Sequence, residues 1–387
     1  AGWIMTFVAL IMTVISVFMP ETPGIGYIAV SLALLGNGLL VTCHLNNNHL
    51  DGVEESIFLS RKDAKGALDC VPILIVVIVA ANLMFNLQYS VFSAQACQMD
   101  LRLDSSTFGA KSDQISGGAF QVADTIAVVL FTPVVEWLLT PILRWCYSRH
   151  DTTGELSPGT FRVVRTVAGL LVAATAVLMA AAIEIHRRGT PLTGVESNCA
   201  AEGVQMSTLS SWAMVVPLAT LGVAEALVVP GIYSFAYQQS PPSTRSTLTA
   251  FQLFLTGGVS SAYTAALTRA ANSAAWFTND LNAGRMELFY LCCVGFTLAG
   301  IPLFLYVNSV YVEKTWDAPV KQKQAEQGGV EEKTGRAKVG KAKGDCAPLP
   351  EESRGQSASA TQRSGFGVIP AARRDEEQGG DSSSRRQ

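Results

Sequence analysis

Residues 211–246 read SWAMVVPLATLGVAEALVVPGIYSFAYQQSPPSTRS. Positions 210–237 form one apolar window. A bilayer crossing needs about 20 largely apolar residues, because backbone groups in lipid must hydrogen-bond within their own segment. Glu225 stands in the middle of this window, between small and apolar neighbours. An ionisable group at mid-membrane costs at least about 2.5 kcal/mol, so it turns inward and signals either a functional role or a structural bond. Both readings stay open for Glu225. Pro217, Pro230 and Gly231 loosen the same helix, for gating or for packing.

Seven further windows of this kind flank it, at 3–19, 25–44, 70–95, 120–143, 163–186, 249–268 and 287–311. The last 75 residues carry 14 Lys+Arg and 12 Asp+Glu, which leaves 14 and 19 for the first 312. The body is therefore only about 11% charged, against roughly 25% for an average soluble domain. So little charge does not cover a water-soluble surface of this size, and the acidic balance argues against a nucleic-acid partner. No series of ten-residue alternating strands supports a β-barrel. The expected class is all-α: a polytopic membrane bundle of about eight helices followed by a disordered, solvated tail at 313–387.

Lys and Arg in the connections divide almost evenly between the two faces, so the tail and Lys314 decide the orientation, with both termini cytoplasmic. On that assignment Arg187, Arg188 and Arg269 lie on the outer side. The chain starts at Ala1 and enters an apolar window without a basic leader, a start that fits a fragment or an incomplete gene reading better than a cleaved signal.

The eight cysteines form no CxxC pair. Those in or beside windows are expected to pack as small hydrophobes. A Cys97–Cys199 disulfide near the outer face is the less favoured alternative. The four histidines are scattered without matched acids, so no metal site is expected. No phosphate loop, nucleophile elbow or dinucleotide fingerprint is present, and neither an enzyme nor a cofactor is expected.

The polar residues inside the windows carry the functional reading. Asp124 opens the 120–143 window, and Glu136 lies between Pro133 and Pro141, expected to pair structurally with Arg144. Asn82, Asn86, Gln88 and Gln95 stud the 70–95 window. They serve as interhelical bonds singly, or together as the wall of a wet cavity.

From residue 70 to 312 the chain resembles the proton-coupled oligopeptide transporter family, including its plant nitrate and peptide branch, within the major facilitator superfamily. The resemblance rests on SVFSAQACQMD (90–100), DTIAVVLFTPVVEWLLTPILR (124–144), TTGELSPGTFRVVRTVAG (152–169), the 211–246 stretch and NDLNAGRMELFYL (279–291). Of these, FAYQQSPPSTRS is the most specific. It implies a complete six-helix C-terminal half at 70–312, a linker at 51–69 and a partial N-terminal half at 1–50. It implies proton-coupled symport of di- or tripeptides or nitrate-like solutes, at the plasma membrane rather than an endomembrane. Asp124 and Glu225 are then proton- or substrate-linked, and Asn86, Gln88, Gln95, Trp212 and Ser234 line the cavity. Two departures stand against it. Ser234 occupies the position where the family's peptide carriers place an acid, nine residues after Glu225, and Val41 occupies that of a substrate-linked Lys. A truncated, non-transporting membrane protein of the same ancestry is the alternative.

Overall fold

The computed structural model describes residues 1–19, 22–47, 50, 59–103, 114–139, 141–142, 158–314 and 316. The expected tail beyond 316, Arg144, Cys146 and Cys346 lie outside the described residues. Among the described residues the chain is almost entirely helical, and every one of the eight windows lies on a helix.

In chain order the helices are α1 (Gly2–Phe18), α2 (Pro23–His44), α3 (Arg61–Leu68), α4 (Val71–Phe85), α5 (Ser93–Cys97) and α6 (Val122–Val134). After them come α7 (Pro158–Gly189), α8 (Val215–Gln238), α9 (Arg245–Leu253), α10 (Ser260–Ser273) and α11 (Met286–Val310). Three π-helical segments continue them: Gln88–Phe92 between α4 and α5, Val135–Leu139 after α6, and Phe254–Val259 between α9 and α10. Such wide turns put one extra residue into the ladder and recur at functional sites.

Among the described residues six helices are long and apolar enough to cross a membrane, one of them the 37-residue run Arg61–Cys97. The other two windows depart from the expectation in different ways. α1 is apolar but has 17 residues, about 25 Å at 1.5 Å per residue against a 30 Å hydrocarbon core. The run through α9 and α10 is long but carries Thr264, Thr268, Arg269, Asn272 and Ser273. The expected 51–69 linker also contains structure. α3 starts at Ser60, whose hydroxyl accepts from the Asp63 amide at 3.2 Å, an N-cap.

α4 is the centre, with all of its residues buried. Its Val, Ile and Leu are apolar on every side because α2, α7, α8, α10 and α11 surround it. α7 presents Leu170, Ala173, Ala174, Ala176, Val177 and Ala180 to the core, and its small residues let it lie close against α8. The outward faces are apolar as well. Ile4, Phe7, Ile11, Val14 and Phe18 on α1 are exposed, as are Val122, Ile126, Val129 and Leu130 on α6. Exposed apolar faces this long are those of a helix against lipid.

At one end of the bundle a hairpin, β1 (Leu192–Glu196) with β2 (Gln205–Ser207), is laced to the chain after α5. The Ser207 amide donates to Gln98 O at 3.0 Å, the Asp100 amide to Leu209 O at 2.8 Å, and the Ser211 amide to Asp100 O at 3.1 Å. That lacing brings Cys199 onto Cys97, and the two are joined by a disulfide. The free-thiol expectation fails for this pair; Cys43, Cys70, Cys292 and Cys293 are free. On the other side, Gln239 of the FAYQQSPPSTRS motif holds the segment after α11. Its Oε1 accepts from Tyr311 Oη and from the Lys314 amide, both at 3.0 Å, and its carbonyl accepts from Trp316 Nε1 at 2.9 Å. Lys314 also pairs with Asp69.

Candidate functional site

Glu225 lies where α8 is pressed hardest between its neighbours. One turn before it, a Cβ on Gly222 would stand 2.5 Å from the Asp124 carbonyl oxygen and 3.1 Å from Asp124 Oδ1. On the other flank, a Cβ on Gly169 of α7 would stand 2.3 Å from Val228 Cγ2 and 3.3 Å from Ala224 O. Glycine at both positions is what lets α6 and α7 close on the turn that carries the carboxylate.

The first π segment supplies the third wall. Gln88 is 1% exposed, and its Nε2 donates to Glu225 Oε1 at 3.1 Å. Its backbone carbonyl accepts from Gln121 Nε2 at 3.1 Å, tying the segment to the turn before α6. Asp124 is 6% exposed, approaches the same Gln88 side chain, and keeps Oδ1 buried without a protein hydrogen-bond partner. Among the described residues no lysine or arginine pairs with either carboxyl group. Three helices thus bring two acids and one amide together.

A second polar node fixes α8 directly after Glu225. Pro230 has no N–H, so the carbonyl four residues earlier, Ala226 O, loses its helical partner. Arg165 of α7 supplies the missing donor. Its Nη2 donates to Ala226 O at 3.0 Å, its Nε to Leu227 O at 2.7 Å, and its Nη1 to Glu136 Oε1 at 2.5 Å. Glu136 therefore has a structural pair as expected, but the partner is Arg165. Sequence reasoning missed Arg165 because its target is a backbone carbonyl on another helix, which no spacing announces.

The remaining expected residues divide. Asn86 lines a polar cleft of ≈ 560 Å³ between the first π segment and α10, and its Nδ2 donates to Thr264 Oγ1 at 3.4 Å. Gln95 does not border that cleft. It is fully buried, with Nε2 donating to Ala180 O at 3.0 Å and Oε1 accepting from Tyr290 Oη at 2.7 Å. It is an interhelical bond of the kind lipid-embedded bundles use. Trp212 stands at the hairpin end, just before α8, 60% exposed and edge-on to Phe120. Ser234 is exposed on α8 beyond Pro230. Arg187, placed by sequence in an outer connection, is instead wholly buried, with Nε and Nη2 donating to the two Glu184 oxygens at 2.8 Å and Nη1 to Asn282 Oδ1 at 3.1 Å.

A bundle with six bilayer-length helices and acids held at its centre is a multi-pass membrane protein. Residues 52–283 match the POT family (PTR2), and the chain belongs to that family. Protein NRT1/ PTR FAMILY 2.9 of Arabidopsis thaliana is 29% identical over 251 residues, which are 63% of this chain and 40% of that protein. Solute carrier family 15 member 5 of Homo sapiens is 31% identical over 157 residues, 40% of this chain and 26% of that protein. The fold matches an auto inhibited POT family peptide transporter with a TM-score of 0.52 at 16% identity, over 81% of this chain and 54% of that one. The POT family transporter PepTSo gives a TM-score of 0.52 at 15% identity, over 80% and 54%. The chain spans about two fifths of the length of the plant relatives it matches.

Proposed function

We propose that the protein is a secondary symporter in which a proton, held at Glu225 or passed between it and Asp124, drives the movement of a small peptide or a nitrate-like solute. The observation that carries this reading is the Gln88–Glu225 contact with Asp124 on the same Gln88 side chain, two carboxyl groups gathered around one buried amide between three helices. Interacting carboxyl groups of this kind titrate as a pair. Membership of the POT family supports the substrate class. A proton falling through 100 mV contributes about 2.3 kcal/mol, enough for tens-fold accumulation of solute. Asn86 and Gln88 face the path in this reading, and Trp212 and Ser234 stand at its two ends. The plasma membrane is the proposed location. Reconstitution into liposomes with an inward proton gradient tests it: uptake of dialanine or nitrate that collapses with a protonophore is the expected result, and uptake indifferent to the gradient overturns it.

A second reading is a non-transporting membrane protein of the same ancestry. Ser234 favours it, since an exposed hydroxyl supplies no charge for a peptide's ammonium group. A peptide-independent uptake of nitrate would leave the first reading standing and remove the second.

A further inference from the structure

Arg269 lies in the last turn but one of α10, where α10 packs on α1 and α2. Its Nη2 donates to Ser16 O at 2.7 Å. Ser16 stands in the last turn of α1, so its carbonyl has no partner within the helix and takes its donor from outside. The bond uses one edge of the guanidinium. The rest of the fork has no protein partner among the described residues, and no acid pairs with it.

The fork stands between two spaces that polar groups line in part. One is the ≈ 560 Å³ cleft that holds Asn86, Ser90, Thr264, Thr268 and Asn272. The other, of ≈ 310 Å³, lies against Ser16 and Thr22. Among the described residues neither space has an Asp or Glu in its lining. A half-buried cation without a counter-ion among its described neighbours costs free energy unless it is met by charge from elsewhere. Amide and hydroxyl groups around it, with no acid among the described lining residues, suit an anion. A planar guanidinium binds planar oxyanions through two parallel N–H···O bonds.

We propose that Arg269 is the anion subsite of the cleft, taking a small planar oxyanion: the terminal carboxylate of a peptide or nitrate itself. The proposal rests on the transport reading for its substrate class, yet its test is binding alone. The full chain in lipid nanodiscs is titrated calorimetrically with sodium nitrate, dialanine and dialanine amide. The expected result is binding of nitrate or of dialanine to the wild-type protein, with the amide about tenfold weaker than dialanine where the peptide is the ligand, and a loss of about tenfold or more in Arg269→Gln, the loss typical of a charge-assisted pair. Nitrate binding without dialanine binding assigns the subsite to the inorganic anion, and the reverse assigns it to the peptide carboxylate. Binding of neither anion to the wild type, or equal affinities in Arg269→Gln, overturns the proposal. If Arg269→Gln does not purify as a monodisperse helical protein, Arg269→Lys decides. Keeping the charge without the fork is expected to weaken binding several-fold, and unchanged affinity overturns the subsite. Proton-driven uptake speaks only to the other reading: its absence with Arg269-dependent binding intact removes symport and leaves the subsite.

Discussion

Gln88 Nε2 and Glu225 Oε1 meet at 3.1 Å across the boundary between a π-helical segment of the central helix and the middle of α8. Gln88 is the first residue of that segment, which follows directly on α4. The central helix therefore supplies the amide that neighbours the carboxylate of α8.

Glu225→Gln keeps the shape and the hydrogen-bonding capacity of this side chain and removes its proton equilibrium. Uptake by the variant in liposomes is expected to lose its dependence on external pH between 5 and 8, whereas counterflow without a gradient persists. An unaltered pH profile would sink the proton role of Glu225.

Arg165→Ala leaves Ala226 O, Leu227 O and the Glu136 carboxylate without their donor at once. Unsatisfied buried acceptors cost about 1–3 kcal/mol each, so the variant is expected to melt well below wild type in detergent. Glu136→Gln is expected to be milder, because an amide oxygen still accepts from Arg165 and both carbonyl contacts remain. Equal losses in the two variants would mean that the ion pair, not the carbonyl contacts, is what Arg165 contributes.

Cys97 and Cys199 close a loop of 102 residues. Crosslinks over loops of this order stabilise by about 2–5 kcal/mol. Reduction, or Cys97→Ser, should lower the melting temperature, and both thiols should stay unlabelled by maleimide in denaturant until a reductant is added. Because such bonds persist in oxidising compartments, the same labelling on intact cells reports which face carries the hairpin.

Beside the hairpin, Arg102 donates from Nε and Nη2 to the two Asp100 oxygens, both at 2.9 Å, and from its amide to Oδ1 at 3.1 Å. Burial pushes the Asp100 carboxyl up, but the bonds and charge of Arg102 outweigh it, and the group lies below its ordinary value of 3.8. A carboxyl lowered in the folded state stabilises above its unfolded value and loses that contribution as pH falls through the folded one. The difference in melting temperature between wild type and Asp100→Asn should therefore be present at pH 6 and shrink as the pH falls below 3.8 and through the lowered folded value. A constant difference would show that Asp100 acts through its shape alone.

The bilayer made much of this fold legible. It forces long apolar runs, so the windows around α2, α4, α7, α8 and α11 could be read without any contact information. Glu225, Asp124 and Gln88 stood out for the same reason, as polar groups in the wrong solvent. Partners were harder. Glu136 pairs with Arg165, 29 residues further along the chain. Arg187 looks like a loop charge until Glu184, three residues before it, folds onto the same buried face. Cys97 and Cys199 are joined because the hairpin whose loop carries Cys199 is laced to the chain after α5. Each of these depends on tertiary placement, which composition does not encode.

Two carbonyls that their own helices leave without a donor have something in common that bears on motion. Ser16 O lies in the last turn of α1 and Ala226 O lies four residues before Pro230, and in each case an arginine from a neighbouring helix supplies the donor. The rung that α8 lacks at Pro230 is thus supplied by α7. Any rearrangement that slides the two helices apart must also let α8 bend, so translation of one rod and flexure of the other become a single coordinate.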